Sequence, residues 1–133
     1  MGIVTRVSAA SALTPQAAVE RLGEQSADVR AAALLDEGGN RVASANADGA
    51  DADGIAELAA ELFTVADAAG SRVGLDGVGR VEVARPEGGV FGVRARDPAG
   101  RSWTLVAVTV GGALSSLVFY DMGMTIRALG ASA

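Results

Sequence analysis

The chain of 133 residues contains no cysteine and no histidine. Those two absences remove disulfides, thiol nucleophiles, zinc fingers and imidazole acid–base chemistry together. Lysine is missing as well, so all 11 basic side chains are arginine, a bias that a GC-rich genome would produce without any functional demand. The formal net charge of -5 opposes nucleic-acid backbones and anionic membranes, because both need a basic face to displace counterions. Neither nucleic acid nor membrane is therefore an expected partner. No apolar run approaches the roughly 20 residues of a membrane helix. The opening "MGIVTRVSAASAL" lacks the continuous apolar region of a signal peptide and has Arg6 where a myristoylation signal wants Ser or Thr. A cytoplasmic location is the expectation. The 50% hydrophobic content suits one sizeable core. We expect a single domain over 14–130, a loosely ordered 1–13 and a short tail at 131–133.

What is present begins with "NADGADADG" (46–54), which looks like a calcium loop. If Gly54 is the obligatory sixth-position glycine, Asp51 and Asp53 fall correctly, but Gly49 stands at the first ligand position and Ala60 at the twelfth. Two essential ligands are missing, and no metal is expected. The plainer reading is a helix start near Gly54, with Asp53 or Asp51 as its cap and carboxylates at the positive end of the helix dipole.

The rest of the chain divides into short elements. "TPQAAVERLGEQ" places Thr14 as a cap and Pro15 at the first helical position, predicting a helix over 15–24. "DVRAAALLD" (28–36) and "RVASAN" (41–46) are extended runs joined by the glycine turn of "DEGGN". "GIAELAAELFTVADAAG" follows as a helix that stops near Gly70. Ile55, Leu58, Ala59, Leu62, Val65, Ala66 and Ala69 form one apolar stripe, expected to lie on a sheet; Ala56, Ala60 and Phe63 form a second. Only Glu57, Glu61 and Thr64, with Ala68, remain as a solvated face, so the helix is expected to pack against something besides its own sheet. "RVEVAR" (80–85), "VFGVRAR" (90–96) and "RSWTLVAVTV" (101–110) read as a meander, with "DPAG" as a type I turn. The closing stretch is helical over 112–129. Leu114, Val118, Met122, Ile126 and Leu129 make its core stripe beside Phe119, and Leu117, Tyr120 and Met124 are expected either to pack on the first helix, the preferred reading, or to await a partner. Five antiparallel strands with helices on both faces give a three-layer α/β sandwich of order α-β-β-α-β-β-β-α.

In that order and spacing the sequence resembles the Roadblock/dynein light chain family over residues 14–129. "VRAAALLDEGGNRVASAN", "IAELAAELFTVADAAGSRVG" and "GRVEVARPEGGVFGVRARDPAGRSWTLVAVT" carry the resemblance, together with the closing helix and Arg127. The family has no catalytic signature, so the match lies in pattern alone. The resemblance implies a Roadblock/profilin-like fold and a homodimer whose central helices pack together and whose third strands pair edge to edge. Ala56, Ala60 and Phe63, with Ala59 beside them, would then meet the second copy, and Arg80, Val81, Glu82 and Val83 would form the paired edge. A two-fold axis at Val81 would set Arg80 opposite Glu82 in both directions, each pair contributing a few tenths of a kcal/mol. Functionally the resemblance implies a bacterial, non-catalytic adaptor that binds a small Ras-like GTPase without a cofactor. Glu57, Glu61 and Thr64 are its candidate partner-binding residues.

No catalytic residue is nominated. "GLDGVGR" (74–80) has neither GxGxxG spacing nor a following helix, so it reads as a connector and not a phosphate cradle. Arg41, Arg72, Arg94, Arg96 and Arg101 lie near turns or strand ends, where an arginine could act in trans on a GTPase, but nothing in the sequence selects one. An enzyme would need paired carboxylates in a cleft, whereas the acids here sit in a cap, on a helix face and in turns, where solvated charges belong. Two alternatives stay open: a small-molecule sensor with a hollow between sheet and helix, and a purely structural scaffold dimer without a GTPase.

Overall fold

A computed structural model describes residues 13–47 and 49–130. The element order is α1 (Pro15–Gln25), β1 (Val29–Leu35), β2 (Arg41–Ala45), α2 (Gly49–Arg72), β3 (Arg80–Arg85), β4 (Gly88–Arg96), β5 (Ser102–Val110) and α3 (Ser115–Arg127). The strands form one antiparallel sheet in the order β2-β1-β5-β4-β3, as the hairpin and meander predict. The expected loose N-terminus and the tail at 131–133 lie outside the described residues, apart from Leu13. That residue bridges to Leu129 and donates its amide to the Ala128 carbonyl at 3.0 Å.

The sheet is covered on both faces, but unequally. On one side α1 and α3 bury the larger core, in which Val19, Leu22, Val118, Met122 and Ile126 meet Leu34, Phe91, Leu105 and Ala107 of the strands. On the other side α2 lies across Ala33, Leu35 and Val106, and its contact is thin because small or partly covered residues, Ala59 with Ile55 and Ala56, make it, Phe63 being the one large side chain the helix buries. Small residues bring the helix close while removing less apolar area from water, so this layer is the less strongly held of the two.

Local chemistry accounts for most element ends. Thr14 Oγ1 accepts from the Ala17 amide at 3.2 Å, the expected cap of α1. Asp36 Oδ1 accepts from the Gly38 and Asn40 amides and closes the β1–β2 turn. The helix α2 differs from expectation at both ends. It begins at Gly49, where Ala52 is fully buried and its burial favours an added turn. Asp51 thus lies in the first turn and Asp53 inside the helix, where it accepts from Arg41 Nε at 3.1 Å. At the other end the helix runs on to Arg72. Gly70 is buried where the connector folds back, its carbonyl accepting from the Leu75 amide at 2.8 Å, and a Cβ there would lie 2.9 Å from the Leu75 oxygen.

Two further expectations need correction. The acid of the "DPAG" turn is buried, not solvated: Asp97 accepts from the Trp103 indole at 2.9 Å and from the Ala99 and Arg101 amides at 2.9 and 3.0 Å. Burial by itself would raise its pKa, but those donors outweigh it and hold the carboxyl below the usual aspartate value. In α3, Val118, Met122, Ile126 and Leu129 are buried as expected, but Leu114, Leu117, Tyr120 and Met124 are exposed. Leu117, Tyr120 and Met124 are thus left in solvent and not buried against α1.

Candidate interaction surface on the central helix and the edge strand

The central helix carries apolar residues nearly all round, so its orientation depends on the strands beneath it. Opposite Phe63 the strand β4 has Gly92, where a Cβ would lie 2.8 Å from Val81 Cγ2 and 2.9 Å from Phe63 Cε2. The missing side chain makes a socket, and Phe63 fills it at 4% exposure. Arg94 then closes the socket from the side. Its guanidinium lies 4.3 Å from the Phe63 ring centroid, donates from Nη1 to Asp67 Oδ2 at 3.0 Å and bonds the Val78 carbonyl from Nε at 2.9 Å. The hydrogen bonds from Arg94, opposed in part by desolvation, hold the Asp67 carboxyl below the usual aspartate value.

This socket rotates α2 by about one residue, roughly 100°, from the expected orientation. Ala59 and Phe63 face the sheet, and Ala52 and Gly70 are buried on the same side of the helix towards its two ends. Of the stripe assigned to the sheet from its periodicity, Ala59 and Ile55 do pack on the strands, but the rest turns outward, with Val65 at 68% exposure and Leu58 and Leu62 half-buried. Of the residues expected to meet a second copy, Ala59 and Phe63 are therefore spent within the protomer, Ala56 is half-buried and Ala60 is exposed. Leu58, Leu62, Val65 and Ala69, at i, i+4, i+7 and i+11, make the outward apolar strip. Glu57, Glu61 and Thr64 lie exposed on the neighbouring face, and the Thr64 hydroxyl bonds back to the Ala60 carbonyl at 2.9 Å.

The sheet continues this apolar surface. In register across the strands run Val83, Val90, Val108 and Ala31, on the face that carries α2. Val83 is 45% exposed and the other three are only half-buried. At the Ala31–Val108 end of this row a groove of about 540 Å³ runs beside the first half of the helix, lined by Ile55 and Leu58 and by the polar Arg30, Asn46 and Asp51.

At the other end of the valine row lies β3, the free edge. The Arg94 amide donates to the Gly79 carbonyl at 2.8 Å, and antiparallel alternation from that pair turns the backbone groups of Arg80, Glu82 and Ala84 outward. Their side chains reach to the opposite face of the sheet: the Arg80 guanidinium lies 5.1 Å from the Phe119 ring centroid, and Glu82 accepts from Ser115 Oγ at 2.7 Å. Among the described residues no side chain bonds the outward amides of β3. Of the arginines at strand ends, Arg94 is locked, Arg41 pairs with Asp53, and Arg101 approaches Asp97 at 3.7 Å; Arg72 and Arg96 pair with no carboxylate among the described residues. Among those residues no group of acids is arranged to hold a metal ion, and no helix is long and apolar enough to cross a membrane.

A five-stranded antiparallel sheet with one long helix on one face and two on the other is the Roadblock/LC7 fold, and solved structures share it over most of their length. A Roadblock/LC7 domain from Streptomyces avermitilis superposes with a TM-score of 0.71 at 24% identity, covering 85% of this chain and 92% of its own. The gliding protein MglB of Thermus thermophilus gives a TM-score of 0.71 at 20% identity over 92% of this chain and 94% of its own. Myxococcus xanthus MglB gives 0.69 at 15% identity over 86% and 89%. No protein-family model and no curated protein matches the chain.

Proposed function

We propose that this protein is a non-catalytic adaptor that self-associates through α2 and β3 and presents the joined surface to a small Ras-like GTPase. One observation carries the self-association: an unpaired strand edge adjoins an outward apolar strip and a half-covered valine row, all on one side of the molecule. An edge of this kind is a template for another chain unless it is covered, and a two-fold axis covers both copies at once. The outward backbone of Arg80 and Glu82 suits the axis at Val81, with Arg80 opposite Glu82 of the second copy. The interface residues are accordingly Leu58, Leu62, Val65 and Val83, with Arg80, Val81 and Glu82 along the edge.

The GTPase reading rests on the family resemblance of the sequence and on the shared fold with MglB. Two-fold pairing of α2 would bring the acidic faces of Glu57 and Glu61 side by side, and these with Thr64 are the proposed GTPase-contact residues. The sensor alternative is less well supported, because Phe63 and Ala59 fill the space between helix and sheet that a ligand would need. The test is titration calorimetry with purified Ras-like GTPases from the same genome, loaded either with GDP or with a non-hydrolysable GTP analogue. The proposal expects binding in one nucleotide state that Glu57→Arg with Glu61→Arg weakens at least tenfold. Binding to none of them, or binding indifferent to nucleotide and to both charge reversals, would contradict it.

A further inference from the structure

The opposite edge of the sheet is closed by a side chain. The Ser44 amide donates to Gln16 Oε1 at 3.3 Å, and the Ser44 carbonyl accepts from Gln16 Nε2 at 2.8 Å. A primary amide offers the same donor and acceptor as a peptide group, so Gln16 occupies the place of a residue in a sixth strand. It is well held there. Thr14 caps α1 and Pro15 opens it, which fixes the turn that carries Gln16, and Gln16 Nε2 also donates to Glu20 Oε2 at 3.1 Å.

The strand beneath has few defences of its own. Arg41–Ala45 contains no proline, and its one charged residue, Arg41, stands at the end of the strand, whereas exposed edges are ordinarily guarded by charge, proline or a bulge. The bulge that leaves Val42 unpaired, like the charge of Arg41, sits at the start of the strand and leaves the pairing of Ala43, Ser44 and Ala45 regular and unguarded. A groove of about 570 Å³ follows the edge between Ser44, Asn46 and the Glu20 and Glu24 side of α1, so an added strand has room to lie there.

We infer that Gln16 is an intramolecular lock on a latent strand-pairing edge, closing β2 against the β2 edge of a second copy. Two antiparallel copies of Arg41–Ala45 centred on Ala43 set no like charges opposite each other, so along Ala43–Ala45 the lock is what stands against their pairing. A protomer with both edges open would build sheets without end, because two different two-fold contacts on one chain generate an open filament. With β2 locked, growth stops at the β3 contact.

The test is Gln16→Ala in the full chain, which keeps helix propensity at an exposed position, followed by sedimentation velocity across a wide concentration range. Wild type should hold one mass throughout. The variant should grow in mass with concentration, its Ser44 amide should lose protection from hydrogen exchange when dilute and regain it as the mass grows, and added Ser44→Pro should return it to the wild-type mass by removing the outward N–H. A thermal melt confirms that each variant is folded. A folded Gln16→Ala that keeps the wild-type mass at every concentration, or growth that Ser44→Pro does not reverse, would overturn the lock. A monomeric wild type with a dimeric Gln16→Ala would uphold the lock while removing the β3 contact.

Discussion

The two edges of this sheet are nearly the same length and carry almost no aromatic surface, yet they are prepared for different neighbours. At β2 the backbone of Ser44 is satisfied by Gln16, Arg41 is tied to Asp53, and α1 packs alongside. At β3 the register with β4 runs unbroken from Arg80 to Arg85, the outward amides meet no side chain among the described residues, and Val83 stands exposed beside the outward strip of α2. The difference teaches that an interface is better located by asking where backbone hydrogen bonds go than by counting apolar residues. On that criterion β3 awaits a partner and β2 does not.

The comparison breaks most severely if the β3 side is charged or blocked. Val65→Glu combined with Glu82→Pro should weaken self-association at least a hundredfold, since the first places a charge in the apolar strip and the second removes an outward donor without touching the β4 ladder. Sedimentation equilibrium measures this, and the thermal melt should change little. Phe63→Glu should behave differently. It buries a carboxylate in the Gly92 socket and should cost about 4 kcal/mol or more of folding stability in a urea melt, so loss of self-association in that variant would report unfolding.

Smaller effects sharpen the account of why the two sides differ. Gly92→Ala should destabilise by about 1–3 kcal/mol through overpacking against Val81 and Phe63. Its solution mass should weaken with it if the socket sets the angle at which α2 presents Val65. Asp97→Asn should cost about 1–3 kcal/mol by loosening the indole and amide bonds, with self-association unchanged because the turn lies away from β3. The folded-state pKa of Asp97 lies below its unfolded value. Its contribution is therefore complete above the ordinary aspartate value of 3.8 and is lost as pH falls through the lower folded value. Acid melts of wild type should show that loss, and Asp97→Asn should flatten it. Last, exchanging Arg80→Glu with Glu82→Arg should restore a few tenths of a kcal/mol relative to either single change if the axis lies at Val81.

Much of this fold was legible in the sequence because its punctuation is local. Thr14-Pro15, the Asp36 turn and "DPAG" each announce an element boundary through chemistry within four residues, and the alternation of the strands supplied the sheet. The orientation of α2 was not legible. A helix with two candidate apolar stripes needs something outside itself to choose between them, and here the choice is made by Gly92 and by Arg94, which stands 27 residues from its partner Asp67. The signal that could have been read is a glycine in mid-strand, which commonly marks close approach of a bulky neighbour. Gln16 was equally silent, since its partner Ser44 lies 28 residues away. The proposed β3 half of the candidate surface is the one expected from "RVEVAR" and the resemblance, whereas the helical half is drawn from the stripe that periodicity placed on the sheet.

The most direct test of the central claim is the solution mass of the purified protein by light scattering, with Val65→Glu measured beside it. The account predicts a wild-type mass of about twice the 13.2 kDa of one chain, falling to that of one chain in a variant that melts like wild type. A monomeric wild type, or a dimer untouched by Val65→Glu, would contradict it.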